Sequence, residues 1–244
     1  MTATAQQHSI MPLEVSALGY AVDGRALVGD VSFSIPAGGV TMLLGANGAG
    51  KSLLLRLCHG LLEPSEGRVC WTGNGARSRH DRRHAMVFQK PVMLRRSARA
   101  NIRHALCASP LRHEADQRTA TALERFGLTH LADQPARLLS GGEQQRLAIA
   151  RASALTPECL FLDEPCSQLD PGATHQIEQM IAALAADGVT IVMSTHDLGQ
   201  ARRLGHRVLF LHRGQLIEDA PAERFFAGPA TEAARAFLSG TLYW

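Results

Sequence analysis

The sequence lacks any apolar run of the roughly 18 to 20 residues that a membrane-crossing helix requires. Its longest candidate runs, Val40–Leu44 and Val208–Leu211, have only the length of buried strands. The first ten residues contain neither a basic segment nor an apolar core, so they predict no signal peptide. The five cysteines form no C-x-x-C pair, which excludes the common zinc spacings and suits a reducing compartment. We therefore expect a protein that neither spans a membrane nor is secreted.

Lysine and aromatic residues are also scarce. Of the 25 basic side chains only Lys51 and Lys90 are lysine, and aromatic residues make up 5% of the chain. The densest basic cluster, residues 77–83, contains no aromatic side chain. A nucleic-acid-binding surface would combine concentrated positive charge with interleaved aromatics. The composition, with 45% hydrophobic residues and a net charge of +3, therefore predicts an ordinary globular protein that does not bind nucleic acid.

The hydrophobic pattern is typical of an α/β fold. Continuously apolar runs predict strands buried on both faces, as in a mostly parallel sheet; these are Val40–Leu44, Cys159–Leu162, Val189–Met193 and Val208–Leu211. The segment Pro171–Ala186 has apolar residues at helical spacing, and Asp170 before Pro171 is a typical helix start.

The remaining parts of the chain have different patterns. Leu13–Tyr20 and Val31–Ile35 predict strands of an N-terminal antiparallel layer, with turns at Asp23-Gly24 and Gly29-Asp30. Residues 94–155 show helical stretches and no convincing strand. We therefore expect a mostly parallel α/β core that carries an antiparallel β layer and an inserted all-helical subdomain.

A glycine-rich segment follows the first buried strand. Gly45-Ala46-Asn47-Gly48-Ala49-Gly50-Lys51-Ser52 fits the phosphate-loop pattern G-x-x-x-x-G-K-[ST] and precedes a predicted helix, Lys51–Leu62. Backbone N–H groups and the helix N-terminus can bind phosphate there. Lys51 would contact the β- and γ-phosphates of ATP, and the Ser52 hydroxyl would bind Mg²⁺. The alternative is a tight glycine turn with a chance lysine, which the scarcity of lysine disfavours.

A second strand ends in acidic residues. Leu160–Asp163 is followed by Glu164 and Pro165. In open α/β sheets ligands bind at the carboxyl ends of the strands. Asp163 would hold Mg²⁺, and Glu164 would polarise the attacking water. The alternative is an acidic turn after a buried strand, which the upstream phosphate loop disfavours.

The segment Leu139–Arg146 contains a predicted helix start. Ser140 and Glu143 form an S-x-x-E capping box. Gly141 and Gly142 cost conformational entropy in a first turn, and a simple cap does not need them. Their exposed N–H groups would suit an anion, so a second phosphate-binding helix end is the functional interpretation. A well-capped helix is the alternative.

Together these segments resemble the ATP-binding subunit of an ABC transporter, over nearly the whole chain. Gly45–Ser52 resembles the Walker A motif, Leu160–Asp163 the Walker B motif, and Leu139–Arg146 the signature motif. Glu164 stands at the position of the catalytic glutamate. The resemblance implies a P-loop ATPase fold, with a single ATP-binding domain over residues 11–242 and its helical subdomain at about 91–155.

Four further residues match smaller motifs of the family. The resemblance implies that Gln89 acts in catalysis and at the metal, that His196 is the catalytic switch histidine, that Asp170 contacts nucleotide from the D-loop, and that Tyr20 stacks on adenine. Each residue has a plainer alternative. Gln89 would be a polar loop residue, His196 a neighbour of the cap at Asp197, Asp170 a helix cap and Tyr20 a half-buried strand aromatic.

The resemblance also implies partners. In the family, two chains sandwich ATP head to tail, so Walker A of one chain faces the signature of the other. This implies a homodimer that binds ATP and Mg²⁺, with nucleotide contacts from Ser140, Gly141 and Gly142. It also implies integral-membrane permease subunits, an extracytoplasmic solute-binding protein as an indirect partner, and a peripheral place on the cytoplasmic face of the membrane.

The segment before the signature, residues 134–137, lacks an acidic glycine-rich loop and so resembles importers rather than exporters. Ala85–Arg96 and Ser194–Leu211 resemble the tungstate importer branch, with phosphate importers as close neighbours. The chain ends at Trp244, so we expect no C-terminal regulatory domain. We expect Gln89–Asn101 to face the permease, with an exposed apolar patch formed by Val92, Met93 and Leu94.

Two other functions compete with import. A soluble ABC ATPase that acts on nucleic acid or ribosomes would usually carry two nucleotide domains or a coiled-coil insertion. A non-hydrolytic module would not need the residues Lys51, Asp163, Glu164 and His196 together. Cys166 replaces the threonine that usually follows Asp-Glu-Pro in the family, and it predicts thiol sensitivity near the site.

Overall fold

A computed structural model describes residues 9–74 and 83–241. The first eight residues, most of the basic cluster at 77–83 and the last residue of the expected domain, 242, lie outside the described ranges. No helix in these ranges is long and apolar enough to cross a membrane.

Nine strands form two sheets in the described residues. Strands β1 to β9 are Leu13–Val22, Arg25–Ile35, Val40–Leu44, Glu66–Trp71, His84–Val87, Cys159–Asp163, Thr190–Ser194, Arg207–His212 and Gln215–Pro221. The central sheet has the order β5-β6-β7-β3-β8-β9, and all its neighbours are parallel except β8 and β9. The expected mostly parallel α/β core is confirmed. Strands β3, β6 and β7 are buried along their whole length, which explains their continuously apolar sequences.

The second sheet is antiparallel, with the order β2-β1-β4. Its hairpin turns at Asp23 and Gly24, whose φ angles of 50° and 76° suit the two-residue turn that joins right-twisted strands. The second expected turn, Gly29-Asp30, is wrong, because both residues lie inside β2. The strand therefore begins at Arg25 instead of Val31.

Within residues 9–74 and 83–241, eight α helices cover the central sheet and fill the segment between β5 and β6. Helices α1 to α8 are Lys51–His59, Ala98–Cys107, Ala115–Arg125, Gly141–Ser153, Pro171–Ala186, Leu198–Leu204, Ala222–Ala227 and Glu232–Leu238. Three short 3₁₀ segments join α2, α3 and α4; they are Pro110–Glu114, Thr129–Leu131 and Ala136–Leu138. Helix α1 ends earlier than the expected Leu62, because Gly60 adopts the left-handed conformation that terminates helices.

The core lies on both faces of the central sheet. Along β6, Leu160 and Leu162 pack into the cluster that includes the helical segment, whereas Cys159 and Phe161 pack towards α1 and the antiparallel sheet. This alternation follows from the two-residue period of a strand. Cys58 joins the second cluster and, like Cys159, is buried with a free thiol, so both act as small apolar side chains.

Candidate functional site

The glycine-rich loop connects the end of β3 to the start of α1. Gly45 has a φ of 149°, and a Cβ placed on it would lie 2.3 Å from the carbonyl oxygen of Leu211. Gly48 and Gly50 have φ angles of 80° and 101°, which other residues rarely adopt. The loop therefore needs glycine for steric reasons, and it directs backbone N–H groups to the helix N-terminus.

Lys51 lies beneath this loop, with only 5% of its surface exposed. Its Nζ donates hydrogen bonds to the carbonyl oxygens of Gly45 at 2.8 Å and Ala46 at 3.2 Å. It also lies 3.8 Å from Glu164 Oε1. Burial lowers the pKa of the Lys51 ammonium, and the negative charges of Glu164 and Asp163 act in the opposite direction. The ammonium is thus held at the loop by contacts that a phosphate group can replace.

Ser52 and Asp163 form a pair that fits Mg²⁺. The Ser52 Oγ donates a 2.8 Å hydrogen bond to Asp163 Oδ1, and Asp163 is buried. Mg²⁺ prefers oxygen ligands and usually takes one or two carboxylates with phosphate and water oxygens completing its shell. In the described ranges no group of three or more His, Cys, Asp and Glu side chains could hold a metal. A hydroxyl and a single carboxylate beside a phosphate loop are therefore the appropriate donors.

Glu164 is the centre of a second group of contacts. Its backbone has a φ of 43°, an uncommon value for a side chain with a Cβ. Its Oε2 lies 3.1 Å from His196 Nδ1 and 3.4 Å from Gln89 Nε2. The Gln89 amide also donates to Ser167 Oγ at 3.1 Å. The structure thus places the Gln89 amide beside Glu164 and Ser167 and not within the hydrogen bond that joins Ser52 and Asp163.

A cavity of about 560 Å³ joins these groups. It is lined by Asn47, Gly48, Gly50, Lys51, Ser52, Leu53, Gln89, Glu164, Ser167 and His196. The loop, the buried lysine, the acid and the histidine therefore share one space. Tyr20 is absent from this lining; it is half-buried on β1 and packs against the apolar cluster beneath the antiparallel sheet.

The signature segment also lies outside the cavity lining. Ser140 and Glu143 form the expected capping box, with Glu143 N donating to Ser140 Oγ at 3.3 Å and Ser140 N donating to Glu143 Oε2 at 2.8 Å. Hydrogen bonds from the Ser140 N–H and hydroxyl hold the pKa of the Glu143 carboxyl below its usual value. Ser140 and Gly141 are exposed, so this helix end faces outward.

The structure supplies a packing reason for one of the two glycines. A Cβ on Gly142 would lie 2.8 Å from Ala173 Cβ in the first turn of α5. That turn is capped by Asp170, whose Oδ1 accepts a 2.9 Å hydrogen bond from Ala173 N. The helix-cap interpretations of Ser140 and Asp170 therefore both hold. For Gly141 the nearest atom is Leu169 Cδ2 at 3.5 Å, an ordinary contact that would tolerate a methyl group.

Sequence reasoning assigned no role to Ser194 or Ser167. Ser194 ends β7 directly beside Asp163 in the parallel ladder, and its hydroxyl donates to Asp163 Oδ1 at 2.8 Å. Ser167 accepts a hydrogen bond from Gln89 and lines the cavity. The available signal for Ser194 was a polar residue at the end of a continuously apolar strand, on the same sheet edge as Asp163.

A wider cleft of about 750 Å³ adjoins the cavity between α5 and α6. Cys166 lines this cleft, and burial raises the pKa of its thiol to about 11. Because the thiolate is the reactive form, this burial disfavours reaction of the Cys166 thiol, and thiol sensitivity near the site stays a prediction.

Comparison with known proteins gives a consistent picture. A family described as "ABC transporter" matches residues 28–167. The chain is 35% identical over 249 aligned residues to the phosphate import ATP-binding protein PstB 2 of Natronomonas pharaonis, covering 95% of this chain and 88% of that protein. It is 41% identical to the methionine import ATP-binding protein MetN of Caulobacter vibrioides, covering 90% and 69%. It is 36% identical to the glutamate transport ATP-binding protein GluA of Corynebacterium efficiens, covering 90% and 94%.

Solved structures have the same fold. One is cbiO1 of Clostridium perfringens, described as part of the ABC transporter complex cbiONQ; it is 31% identical, with a TM-score of 0.79 and coverage of 91% of this chain and 92% of that one. Another is an ATP-binding subunit of an ABC transporter, 27% identical, with a TM-score of 0.80 and coverage of 94% and 100%.

Proposed function

Because this chain belongs to the ABC transporter family, we propose that it is the ATP-binding subunit of an importer and couples ATP hydrolysis to solute entry through a separate membrane permease. Relatives of this domain are the ATPases of transporters, and the chain has the same ABC ATPase fold. The observation that carries the proposal is the shared cavity, in which Lys51, Ser52, Glu164 and His196 meet beside the phosphate loop.

In this proposal each group has a defined task. The loop from Gly45 to Gly50 donates N–H groups to ATP phosphates, and Lys51 contributes the positive charge. Ser52 and Asp163 would hold Mg²⁺, which would supply positive charge beside the phosphates. Glu164 accepts the proton of the attacking water. His196 and Gln89 orient the Glu164 carboxylate through the contacts described above.

We further propose that two copies of the chain form a head-to-tail homodimer. The support is geometric: Ser140 and Gly141 form an exposed helix N-terminus, while the cavity lining takes no residue from that segment. A partner's nucleotide would bind there, in contact with Ser140, Gly141, Gly142 and, from the D-loop, Asp170. In this proposal the ATP-binding domain extends over residues 11–242, with the helical subdomain at about 91–155. Adenine stacking on Tyr20 is also proposed, although Tyr20 is not among the residues that line the cavity.

The permease-facing surface follows Gln89, but its composition differs from the expected patch. Val92 is 66% exposed, whereas Met93 and Asn101 are buried. Leu138 is 80% exposed, and its neighbour Arg137 donates through Nε to the carbonyl oxygen of Met93 at 3.2 Å, so the segments that carry Val92 and Leu138 meet there. We define this pair, Val92 and Leu138, as the docking patch.

The docking patch can be tested with charged substitutions. Val92→Asp or Leu138→Asp should abolish solute uptake in cells, because a buried unpaired carboxylate at an interface is unfavourable, while the ATPase activity of the purified chain persists. Leu61→Asp is the matched control, since Leu61 is also an exposed leucine, at 46%, and follows α1 outside the segment expected to face the permease. Equal loss of uptake in all three variants would contradict the assignment.

The solute is the narrower part of the proposal, and we propose an oxyanion such as tungstate or phosphate. The segments Ala85–Arg96 and Ser194–Leu211 support it, as does the phosphate-importing relative. The partners would be permease subunits and an extracytoplasmic solute-binding protein, with this chain on the cytoplasmic face of the membrane. The methionine and glutamate relatives define the competing solutes.

Solute uptake in a deletion strain tests both parts of the proposal, namely that the chain drives import and that the solute is an oxyanion. Cells lacking the gene, complemented with wild type or with Lys51→Ala, are assayed for accumulation of tungstate, phosphate, methionine and glutamate. Loss of oxyanion uptake alone, restored only by wild type, is expected. Loss of amino-acid uptake would overturn the solute assignment. No loss of uptake with intact ATPase activity would favour the soluble, non-transport ATPase.

A further inference from the structure

The hydroxyl of Ser194 bridges the two acidic residues of the site. It is fully buried at the end of β7, donates to Asp163 Oδ1 at 2.8 Å and accepts from the backbone N–H of Glu164 at 3.0 Å. The parallel pairing of Asp163 with Ser194 sets this geometry. One oxygen atom thus contacts both residues to which the proposed hydrolysis assigns separate tasks.

The contact to Asp163 compensates for burial of a carboxylate. Asp163 is 2% exposed, and a buried carboxylate without donors is unfavourable. Its two hydroxyl donors are Ser52 and Ser194, and both reach Oδ1. If Ser52 bound a metal instead of donating to Asp163, the Ser194 hydroxyl would remain as the donor that holds the carboxylate.

The contact to Glu164 supports an unusual backbone. A φ of 43° carries a strain cost, and such conformations persist only where surrounding contacts determine them. The Glu164 N–H donates both to Ser194 Oγ at 3.0 Å and to the Ser194 carbonyl oxygen at 3.2 Å. The side chain and backbone of one residue therefore hold the turn that directs the Glu164 side chain towards His196.

We propose that Ser194 is a positioning residue for ATP hydrolysis, which orients Asp163 for Mg²⁺ and Glu164 for water through a single hydroxyl. The inference rests on the proposed ATPase site. It predicts that loss of the hydroxyl reduces the gain in nucleotide affinity that Mg²⁺ produces and also lowers the rate of ATP turnover. Nucleotide binding without Mg²⁺ should be unchanged, because it depends on Lys51 and the loop.

The test uses the full chain and a non-hydrolysable ATP analogue. Dissociation constants are measured by calorimetry in excess Mg²⁺ and in EDTA, beside kcat and KM for ATP. Ser194→Ala should reduce the Mg²⁺ enhancement of binding and kcat by about 10- to 100-fold, the effect expected for one hydrogen bond to a charged group. The dissociation constant for the analogue in EDTA should be unchanged. Ser194→Thr, which retains the hydroxyl, should recover most of the Mg²⁺ enhancement and most of kcat.

The control is a second buried hydroxyl on the same strand. Thr190 is 1% exposed at the opposite end of β7, and its Oγ1 accepts a 2.8 Å hydrogen bond from Gly38 N. Thr190→Val should lower the melting temperature but leave the Mg²⁺ enhancement intact. If Ser194→Ala does not fold, Ser194→Cys, which has a weaker donor of similar size, replaces it.

The outcomes separate this inference from the proposed function. Ser194→Ala that behaves like Thr190→Val, with normal Mg²⁺ enhancement and kcat, would overturn the positioning role. Wild type that shows no Mg²⁺-dependent binding or hydrolysis would instead overturn the ATPase site itself. A selective loss of Mg²⁺ enhancement, restored by threonine, would support the role.

Discussion

Replacing Glu164 with glutamine isolates its proposed role as the base. The amide keeps nearly the same shape, so the contacts to His196 and Gln89 can persist, but it cannot accept a proton from water. The lost group contributes about 10²- to 10⁴-fold to turnover, which corresponds to about 3 to 5 kcal/mol of activation free energy. ATP binding should survive, because the substitution leaves the Lys51 ammonium and the loop N–H groups available to the phosphates.

Two assays check this expectation. Phosphate release measures turnover, and size-exclusion chromatography in ATP detects the dimer that should accumulate when hydrolysis stops. The Lys51–Glu164 distance of 3.8 Å exceeds a hydrogen bond, so the substitution removes a long ion pair and should not weaken ATP binding.

Glu158→Gln is the matched control. Glu158 immediately precedes β6, whereas Glu164 immediately follows it, and its Oε2 accepts hydrogen bonds from Ser9 Oγ at 2.6 Å and Ile10 N at 2.9 Å. Its amide variant should melt at a lower temperature and hydrolyse ATP near the wild-type rate. Wild-type turnover in Glu164→Gln, or an equal loss in both variants, would refute the assignment of the base.

Three further predictions address other parts of the site. Lys51→Ala should weaken ATP affinity severely, because a buried charge at the phosphate loop is lost, whereas Lys90→Ala should leave affinity intact; equal losses would contradict the loop assignment. Ser140→Arg should spare ATP binding to the monomer but abolish ATP-driven dimerisation, and mixing it with Lys51→Ala should restore one intact composite site with partial activity. If Ser140 only caps a helix, the arginine variant should lose about 1 kcal/mol of stability and no activity. Cys166, whose thiol pKa is about 11, should be alkylated more slowly than exposed Cys107 at pH 7, and its rate should rise as the pH approaches 10; comparable rates at pH 7, measured by peptide mass spectrometry, would contradict the burial argument.

The sequence was informative where burial was complete. Strands β3, β6 and β8 could be located because both their faces are apolar, and α5 because Asp170 and Pro171 mark its start. Strands β4 and β9 were missed, since their partly exposed residues mix charged and apolar side chains without clear alternation. Their positions depend on pairing with distant strands, which a local pattern does not contain.

The site was predictable in its motifs but not in its supporting contacts. Walker-type spacing predicted the roles of Lys51 and Asp163, whereas the contacts of Ser194 depend on a strand register that only the folded sheet defines. The expected apolar patch was wrong at Met93 for the same reason: Met93 packs into the core, whereas Val92 is exposed and Leu138, from a distant segment, is also an exposed apolar residue. An irregular loop has no repeating pattern of buried and exposed positions, so the sequence cannot predict which of its side chains point outward.

The close contact between Gly142 and Ala173 has a mechanical consequence. The short segment 164–170 runs from the proposed base to the cap of α5, and the first turn of that helix packs its Ala173 methyl group against Gly142 of α4. A displacement of Glu164 that moves the start of α5 would therefore also move the start of α4, because the two helix ends are in direct contact. In a head-to-tail dimer, a movement at the nucleotide bound by one chain would therefore shift the helix start with which that chain contacts the partner's nucleotide.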